Sequence, residues 1–443
     1  MLLSCLSVFA LFLFKIGTWI FLISLPLGIA YYFYLKRRST YFQRLGIPQP
    51  PITSTFLGNF IEFEKDHQQW ETLIKWQKIY GQTFGILLGA HRVIVTSDFD
   101  ILNEVFIKQF HTFQARMIHP SIALDQENGS SQINVFTGQG NRWKRLRSLF
   151  SASLTISKIK SVDPIMRKAH DELIEVLRRN ENGIINVKPL MLDMTFAVIS
   201  RSAMGINEEF VITERENESA EEKGKRHQDF LDFLREAQEN NLDISNKADF
   251  DTKIPKKLTR DELIGSSHTF LLAGGDTTAT LITYCLYELA IHPELEQRVL
   301  KETEEHHIKT VDDIDYDNIK NLEFLEQFVK EAARTCILPN IPVITQDEKV
   351  WGKDATEFNP DRFLQENSEN RHPMAWLPFG AGLRICPGKN LAIYEIKATI
   401  VRLLLEYKFE VCDEIKTKEI MKATLGFDKL KMKVVPRKKT YCK

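Results

Sequence analysis

The 443-residue sequence predicts a mainly α-helical fold with a small β-sheet region, preceded by an N-terminal transmembrane helix. Three observations predict it. Ile16 to Leu35 is an uncharged, largely apolar run long enough to cross a bilayer core of about 30 Å. Thr259 to His292 keeps a helical pattern from a capping signature to a stop at Pro293. Strand-like runs are few before the C-terminus and no internal repeat is present, which fits one mainly α domain.

Taken in order, the apolar run is bounded by Lys15 and by Lys36-Arg37-Arg38, with Trp19, Tyr31, Tyr32 and Tyr34 near its ends. A cleaved signal peptide has a shorter apolar core and a small-residue cleavage site, so residues 1–38 read as a retained signal-anchor whose basic flank leaves the C-terminal body in the cytosol. Residues 39–60 contain Gly46-Ile47-Pro48-Gln49-Pro50-Pro51, a stiff hinge that cannot be helical. Phe84 to Gly89 and Arg92 to Thr96 read as two strands around a turn, and Asp98 to Phe106 resumes a helical period. Asn207 to Arg226, rich in Glu and Lys, reads as a solvated linker. Thr259-Arg260-Asp261-Glu262 is a capping box, and the helix it starts would be about 50 Å long.

Hydrophobic residues at 43% and charged residues at 26% suit a large globular core. The formal net charge of −1 argues against nucleic-acid binding. Cys5, Cys285, Cys336, Cys386, Cys412 and Cys442 are scattered without a CxxC pair, which is no disulfide framework and points to a reducing compartment.

The densest chemistry lies at Phe379-Gly380-Ala381-Gly382-Leu383-Arg384-Ile385-Cys386-Pro387-Gly388. Its glycines let the backbone approach a flat, bulky partner. A helical pattern begins at Lys389, so Cys386 precedes a helix N-terminus whose partial positive charge favours a thiolate, and Arg384 adds a full charge nearby. The bland alternative is a buried, inert cysteine. Trp143-Lys144-Arg145-Leu146-Arg147 places an indole N–H and a guanidinium one turn apart on one helix face, a pair of pure donors suited to an anion, although such pairs often only stack on a surface. Ala273-Gly274-Gly275-Asp276-Thr277-Thr278 puts two glycines inside a helix at about 1 kcal/mol each relative to Ala. They mark either a close neighbour or a place where the helix must open. Glu331-Ala332-Ala333-Arg334 is an i,i+3 ion pair of a common kind, and Glu175-Val176-Leu177-Arg178 has the same form without an evident role.

The ten-residue cysteine loop closely resembles the haem-binding loop of cytochrome P-450 enzymes, Phe-x-x-Gly-x-Arg-x-Cys-x-Gly, at every fixed position. The resemblance extends along essentially the whole chain and is strongest to the microsomal, membrane-anchored eukaryotic branch. It implies haem b with Cys386 as the axial thiolate ligand of the iron. It makes Arg384 a propionate partner, sets Phe379 beside the sulfur, and includes Gly388 in the loop. Trp143 and Arg147 match a Trp-x-x-x-Arg that binds haem propionates. Ala273 and Gly274 match the central-helix groove for O2, with Asp276 and Thr277 as the acid–alcohol pair that delivers protons. Glu331, Arg334 and Arg362 match a structural trio that locks the core. Residues 61–443 would then be the haem-thiolate catalytic domain.

That domain is short in two places, near 205–228 and 335–350. The first replaces two long lid helices of the family with a charged linker. The second is about two dozen residues shorter than four typical strands with turns require. Both read as clean excisions, of the kind a skipped exon or imperfect gene model leaves. The resemblance implies a monooxygenase of the endoplasmic reticulum membrane that inserts one atom of O2 into an apolar small molecule (a lipid, steroid or xenobiotic), with electrons from NADPH-cytochrome reductase. The alternatives are a truncated, non-catalytic member of the family and a haem-thiolate isomerase or peroxidase. Retention of Asp276-Thr277 argues against the last.

Overall fold

The computed structural model describes residues 2–65, 69–89, 91–116, 134–204, 234–238, 256–336, 342–345, 347–412, 419–421, 425–427 and 429–437. The charged linker at Asn207 to Arg226, and with it the expected lid gap, lies outside the described residues. The chain divides into two units, Met1–Asp98 and Phe99–Lys443.

In the first unit, helix α1 (Leu2–Ser39) is continuous, with Pro26 inside it and Lys36, Arg37 and Arg38 in its last turn. It contains the stretch expected to span a membrane and continues beyond it at both ends. Phe21, Leu22, Ile23, Leu27 and Phe33 are all more than half exposed. Among the described residues no helix is long and apolar enough to cross a membrane. Helix α2 (Gln69–Tyr80) precedes an antiparallel hairpin of β1 (Thr83–Leu88) and β2 (His91–Thr96), at the two expected strand positions. The proline-rich stretch lies against this hairpin, because the Pro48 carbonyl accepts from the Gly85 N–H at 2.8 Å. Gly85 is needed there: a Cβ would sit 2.2 Å from the ring of the buried Phe42.

Among the described residues the second unit is built on six long helices. They are α3 (Gly140–Ser153), α4 (Asp163–Arg179), α5 (Val187–Met204), α6 (Arg260–Ile291), α8 (Glu323–Cys336) and α9 (Lys389–Glu406), with α7 (Pro293–Glu305) following α6. Strands β3 (Ile184–Asn186), β4 (Tyr407–Val411) and β7 (Lys431–Pro436) form an antiparallel sheet in the order β3-β7-β4, and β5 (Glu419–Met421) pairs with β6 (Leu425–Phe427). One apolar core joins α4, α5, α6, α8, α9 and the sheet through Leu177, Val198, Tyr284, Phe328, Ile396 and Tyr407. Helix α6 is buried nearly all round from Thr278 to Leu286, the pattern of a helix at the centre of a large domain. Its N-terminus carries both arms of the capping box: Thr259 Oγ1 accepts from Glu262 N at 3.2 Å, and Glu262 Oε2 accepts from Thr259 N at 3.0 Å.

Candidate functional site

The cysteine loop is shaped by two residues of left-handed backbone, Gly380 at φ 74° and Gly382 at φ 63°. A side chain at Gly382 is excluded twice, since the Phe106 carbonyl oxygen lies 2.1 Å from where a Cβ would be. The turn closes through the Cys386 N–H, which donates to the Phe379 carbonyl at 2.8 Å. Phe379 packs against Trp376 with ring centroids 5.9 Å apart. Gly388 is the N-cap of α9, 4.0 Å from the Cys386 sulfur at its nearest notional Cβ position.

The thiol environment departs from the sequence expectation. Burial pushes the Cys386 thiol up, and this outweighs the lowering from the backbone N–H groups of Gly388 and Lys389 and from Arg147 and Arg116. The helix N-terminus acts in the expected direction, but the leading positive charges are Arg147 and Arg116 rather than Arg384.

Arg384 instead braces a second feature. Its Nε donates to the Gln114 carbonyl at 3.0 Å and its Nη2 to the Gly138 carbonyl at 2.8 Å, while its guanidinium carbon lies 4.4 Å from the Trp143 ring centroid. Burial, with Arg116 and Arg147 as neighbours, pushes the Arg384 guanidinium down to about 10. Burial likewise lowers Arg116, with Arg147 adding to it. Arg147 is lowered by burial and sustained by Cys386. Among the described residues neither Arg116 nor Arg147 has a hydrogen-bond acceptor for its guanidinium. Among the described residues these three half-buried cations have no carboxylate partner, and Arg384 is lowered by the other two, an arrangement suited to anionic charge. Arg116 was missed by sequence reasoning; it sits in a loop with no spacing signal around it.

These residues fit a haem. Cys386 offers a sulfur at a helix N-terminus, and the arginine cluster with Trp143 offers donors to the propionates. The two features are within electrostatic reach of each other, since Arg147 and Arg116 act on Cys386.

The central helix presents Leu272 (69% exposed), Ala273 and Thr277 on one open face, with Asp276 half-buried beside them. The Thr277 hydroxyl donates to the Ala273 carbonyl at 2.6 Å. The two glycines face the other way. A Cβ on Gly274 would lie 2.8 Å from Ile199, and one on Gly275 2.8 Å from Phe196, so α5 packs against them. Thr195 Oγ1 donates to the Gly275 carbonyl at 3.0 Å. The glycine pair thus serves close helix packing, the first of the two readings its sequence left open.

Glu331, Arg334 and Arg362 meet in one buried network. Arg334 Nη2 reaches Glu331 Oε1 at 2.7 Å and Arg362 Nε reaches the same oxygen at 3.1 Å. Arg334 also donates to the carbonyls of Ala355 and Thr345, and Arg362 to those of Trp351 and Asp354. The shortened connection after α8 therefore ends in a folded segment, whose Thr345 carbonyl and Trp351 indole (to the Ile344 carbonyl, 2.8 Å) are both used. The comparison pair behaves differently: Glu175 meets Arg179, not Arg178, at 3.6 Å on an exposed surface.

Comparison with known proteins gives a consistent result. The family model described as Cytochrome P450 matches residues 48–210, 207–336 and 333–436. Among curated proteins, the chain is similar to putative cytochrome P450 cyp-13B1 of Caenorhabditis elegans, with 29% identity, 88% of this chain and 93% of that protein aligned. It is similar also to putative cytochrome P450 CYP13A10 of the same organism, at 27% with 86% and 92% aligned, and to putative cytochrome P450 CYP13A2, at 28% with 87% and 92%. The first alignment runs over 489 positions, more than the 443 residues of this chain, and the family match breaks at 207–210 and again at 333–336.

Proposed function

The chain belongs to the cytochrome P450 family, a family of haem monooxygenases, and from that premise we propose that it is a membrane-anchored monooxygenase acting on an apolar small molecule. The observation that carries this reading is the pair Arg116 and Arg147 within electrostatic reach of Cys386, with Arg384 as their neighbour. Haem b held there through its propionates and the Cys386 thiolate supplies O2 activation and insertion of one oxygen atom into the substrate. The chain's own residues do the rest. Cys386 is kept from solvent by burial and offered backbone N–H groups, which hold its charge once it is a thiolate. The Trp143 ring carries Arg384 at a fixed height, so the cluster is ordered before an anion arrives. On the open face of α6, Thr277 and Asp276 would hold and pass a proton, a role supported by the exposed Thr277 hydroxyl with Asp276 half-buried beside it.

The reading extends to NADPH-cytochrome reductase as electron donor, O2 as co-substrate, and a lipid, steroid or xenobiotic as the oxidised molecule. It places the protein in the endoplasmic reticulum membrane with its catalytic domain in the cytosol. The uncharged run Ile16 to Leu35, its exposed apolar side chains and the basic end of α1 support the anchor. A second reading, a truncated family member without activity, is favoured by one observation: the family match breaks at both shortened segments.

Absorbance of the reduced carbon monoxide complex separates the two. A thiolate-type band in the wild type that disappears in Cys386→Ala supports the monooxygenase. A wild-type protein that takes up no haem supports the truncated reading. Deleting residues 1–38 should shift the protein from the membrane fraction toward the soluble one, and full retention on membranes contradicts the single anchor.

A further inference from the structure

Helix α3 carries the cradle residues Trp143 and Arg147, and two arginines on another side of it meet a carboxylate outside the helix. Glu262, fully buried at the third position of α6, accepts four hydrogen bonds. Arg142 Nε and Arg145 Nη2 meet Oε1, each at 2.7 Å. Arg145 Nη1 meets Oε2 at 2.8 Å and the Thr259 N–H meets it at 3.0 Å. Two carboxylate oxygens have about four lone-pair sites, so the group is saturated. At about 100° per residue, Arg142 and Arg145 share one side of α3, while Trp143 and Arg147 share another. Leu146, Leu149 and Phe150 fill the core side between them. Apolar packing tolerates small rotations of a helix about its axis; a two-point, charge-assisted grip on a saturated carboxylate does not.

We propose that Glu262 is a positioning residue for the propionate cradle: by gripping Arg142 and Arg145 it fixes the direction in which Trp143 and Arg147 present their donors. The capping box by itself accounts for only one of the four bonds and would be served by any glutamate at an exposed helix start. Here the carboxylate is buried and three of its bonds go to the cradle helix. This inference rests on the haem-binding reading above.

The test compares the full-length protein loaded with haem or with haem dimethyl ester, whose propionates are uncharged, in detergent. Affinities are read from the absorbance of each complex. The wild type should prefer haem. In Glu262→Gln, that preference should fall by about tenfold, because the donors no longer converge on a charged propionate. A role in folding alone would weaken haem and ester equally and leave the ratio unchanged, and that result overturns the proposal. Arg145→Lys, which keeps the charge but removes the two-point grip, should lower the ratio in the same direction and serves where Glu262→Gln yields no folded protein. A wild type that binds neither form overturns the functional reading and this inference with it. A wild type that prefers haem, with an unchanged ratio in both variants, overturns this inference alone.

Discussion

The guanidinium carbon of Arg384 lies 4.4 Å from the centroid of the Trp143 ring. The two residues come from the cysteine loop and from α3, and their stacking fixes the loop to the helix that carries Arg147. The contact is partly desolvated, where a cation over an indole is worth most. Arg384 spends its hydrogen bonds on the carbonyls of Gln114 and Gly138, so its charge is placed but not neutralised. With Arg116 and Arg147 beside it, the cluster is repulsive within itself, and a dianionic ligand relieves that repulsion.

Arg116→Ala should therefore weaken haem retention while raising the stability of the haem-free protein, because one of three mutually opposed cations is removed. A charge-assisted hydrogen bond contributes about 1.5–3 kcal/mol, so haem should leave at least about tenfold faster. Transfer to apomyoglobin measures the rate, and thermal unfolding of the haem-free protein measures the second effect. Unchanged transfer would remove Arg116 from the cradle.

How much of this was legible in sequence depends on the distance over which each signal acts. The cysteine loop, Trp143 with Arg147, and the Thr259 capping box are local patterns, and each is found at its expected place in a turn or helix. Arg116 carried no local signal; only the fold brings it beside Arg147. Glu262 was legible as a cap, but its bonds to Arg142 and Arg145 span two helices that no spacing rule connects. The cost of Gly274 and Gly275 was visible in the sequence, whereas their reason, the approach of Ile199 and Phe196, was not. For Cys386 the local argument had the helix end right in sign, but it named Arg384 where the charges that act are Arg147 and Arg116, and it had no access to burial, which dominates.

Arg362→Ala should destabilise the protein by about 3–5 kcal/mol, since it leaves Glu331 buried with one partner fewer and strands the carbonyls of Trp351 and Asp354. Arg362→Lys should recover only part, because an ammonium cannot reach this fan of acceptors. Urea unfolding monitored by far-UV circular dichroism gives both values. A loss below about 1 kcal/mol would mean that water enters and satisfies the network.

Two buried titratable groups, Glu395 on α9 and His170 on α4, oppose each other in pH. Burial pushes Glu395 up to about 8, and no hydrogen bond reaches its Oε1. Burial, with Arg402 adding to it, pushes His170 down to about 3, where its Nε2 lies 3.0 Å from Thr399 Oγ1. The stability tied to protonated Glu395 is full below its unfolded value of 4.5 and is lost as pH rises toward 8. That tied to neutral His170 is full above its unfolded value of 6.5 and is lost as pH falls toward 3. The two slopes offset between 4.5 and 6.5, so stability should be greatest in that window. Glu395→Gln should flatten the decline from 6.5 to 8 and raise stability at pH 8 by an amount on the order of a few kcal/mol. Urea midpoints measured across pH test it; an unchanged slope would mean that Glu395 is ionised in the folded protein.

Thr277→Ala separates the two possible uses of the hydroxyl on the open face of α6. The hydroxyl donates to the Ala273 carbonyl at 2.6 Å, a back-bond within the helix that leaves its lone pairs facing outward. Because Thr277 is exposed and the helix carbonyl can turn to water, losing the back-bond should change stability by less than about 0.5 kcal/mol. The lone pairs are the chemically useful part: they can accept from a water beside the half-buried Asp276, and a held water can relay a proton. Without it, O2 should still be consumed in the presence of reductase and NADPH, but more of it should appear as hydrogen peroxide and less as oxidised substrate. The ratio of product to NADPH consumed should fall while haem content and unfolding midpoint stay at wild-type values. Thr277→Ser keeps the hydroxyl and should hold the wild-type ratio. An unchanged ratio in Thr277→Ala would assign the residue to the helix surface and leave proton delivery to Asp276 alone.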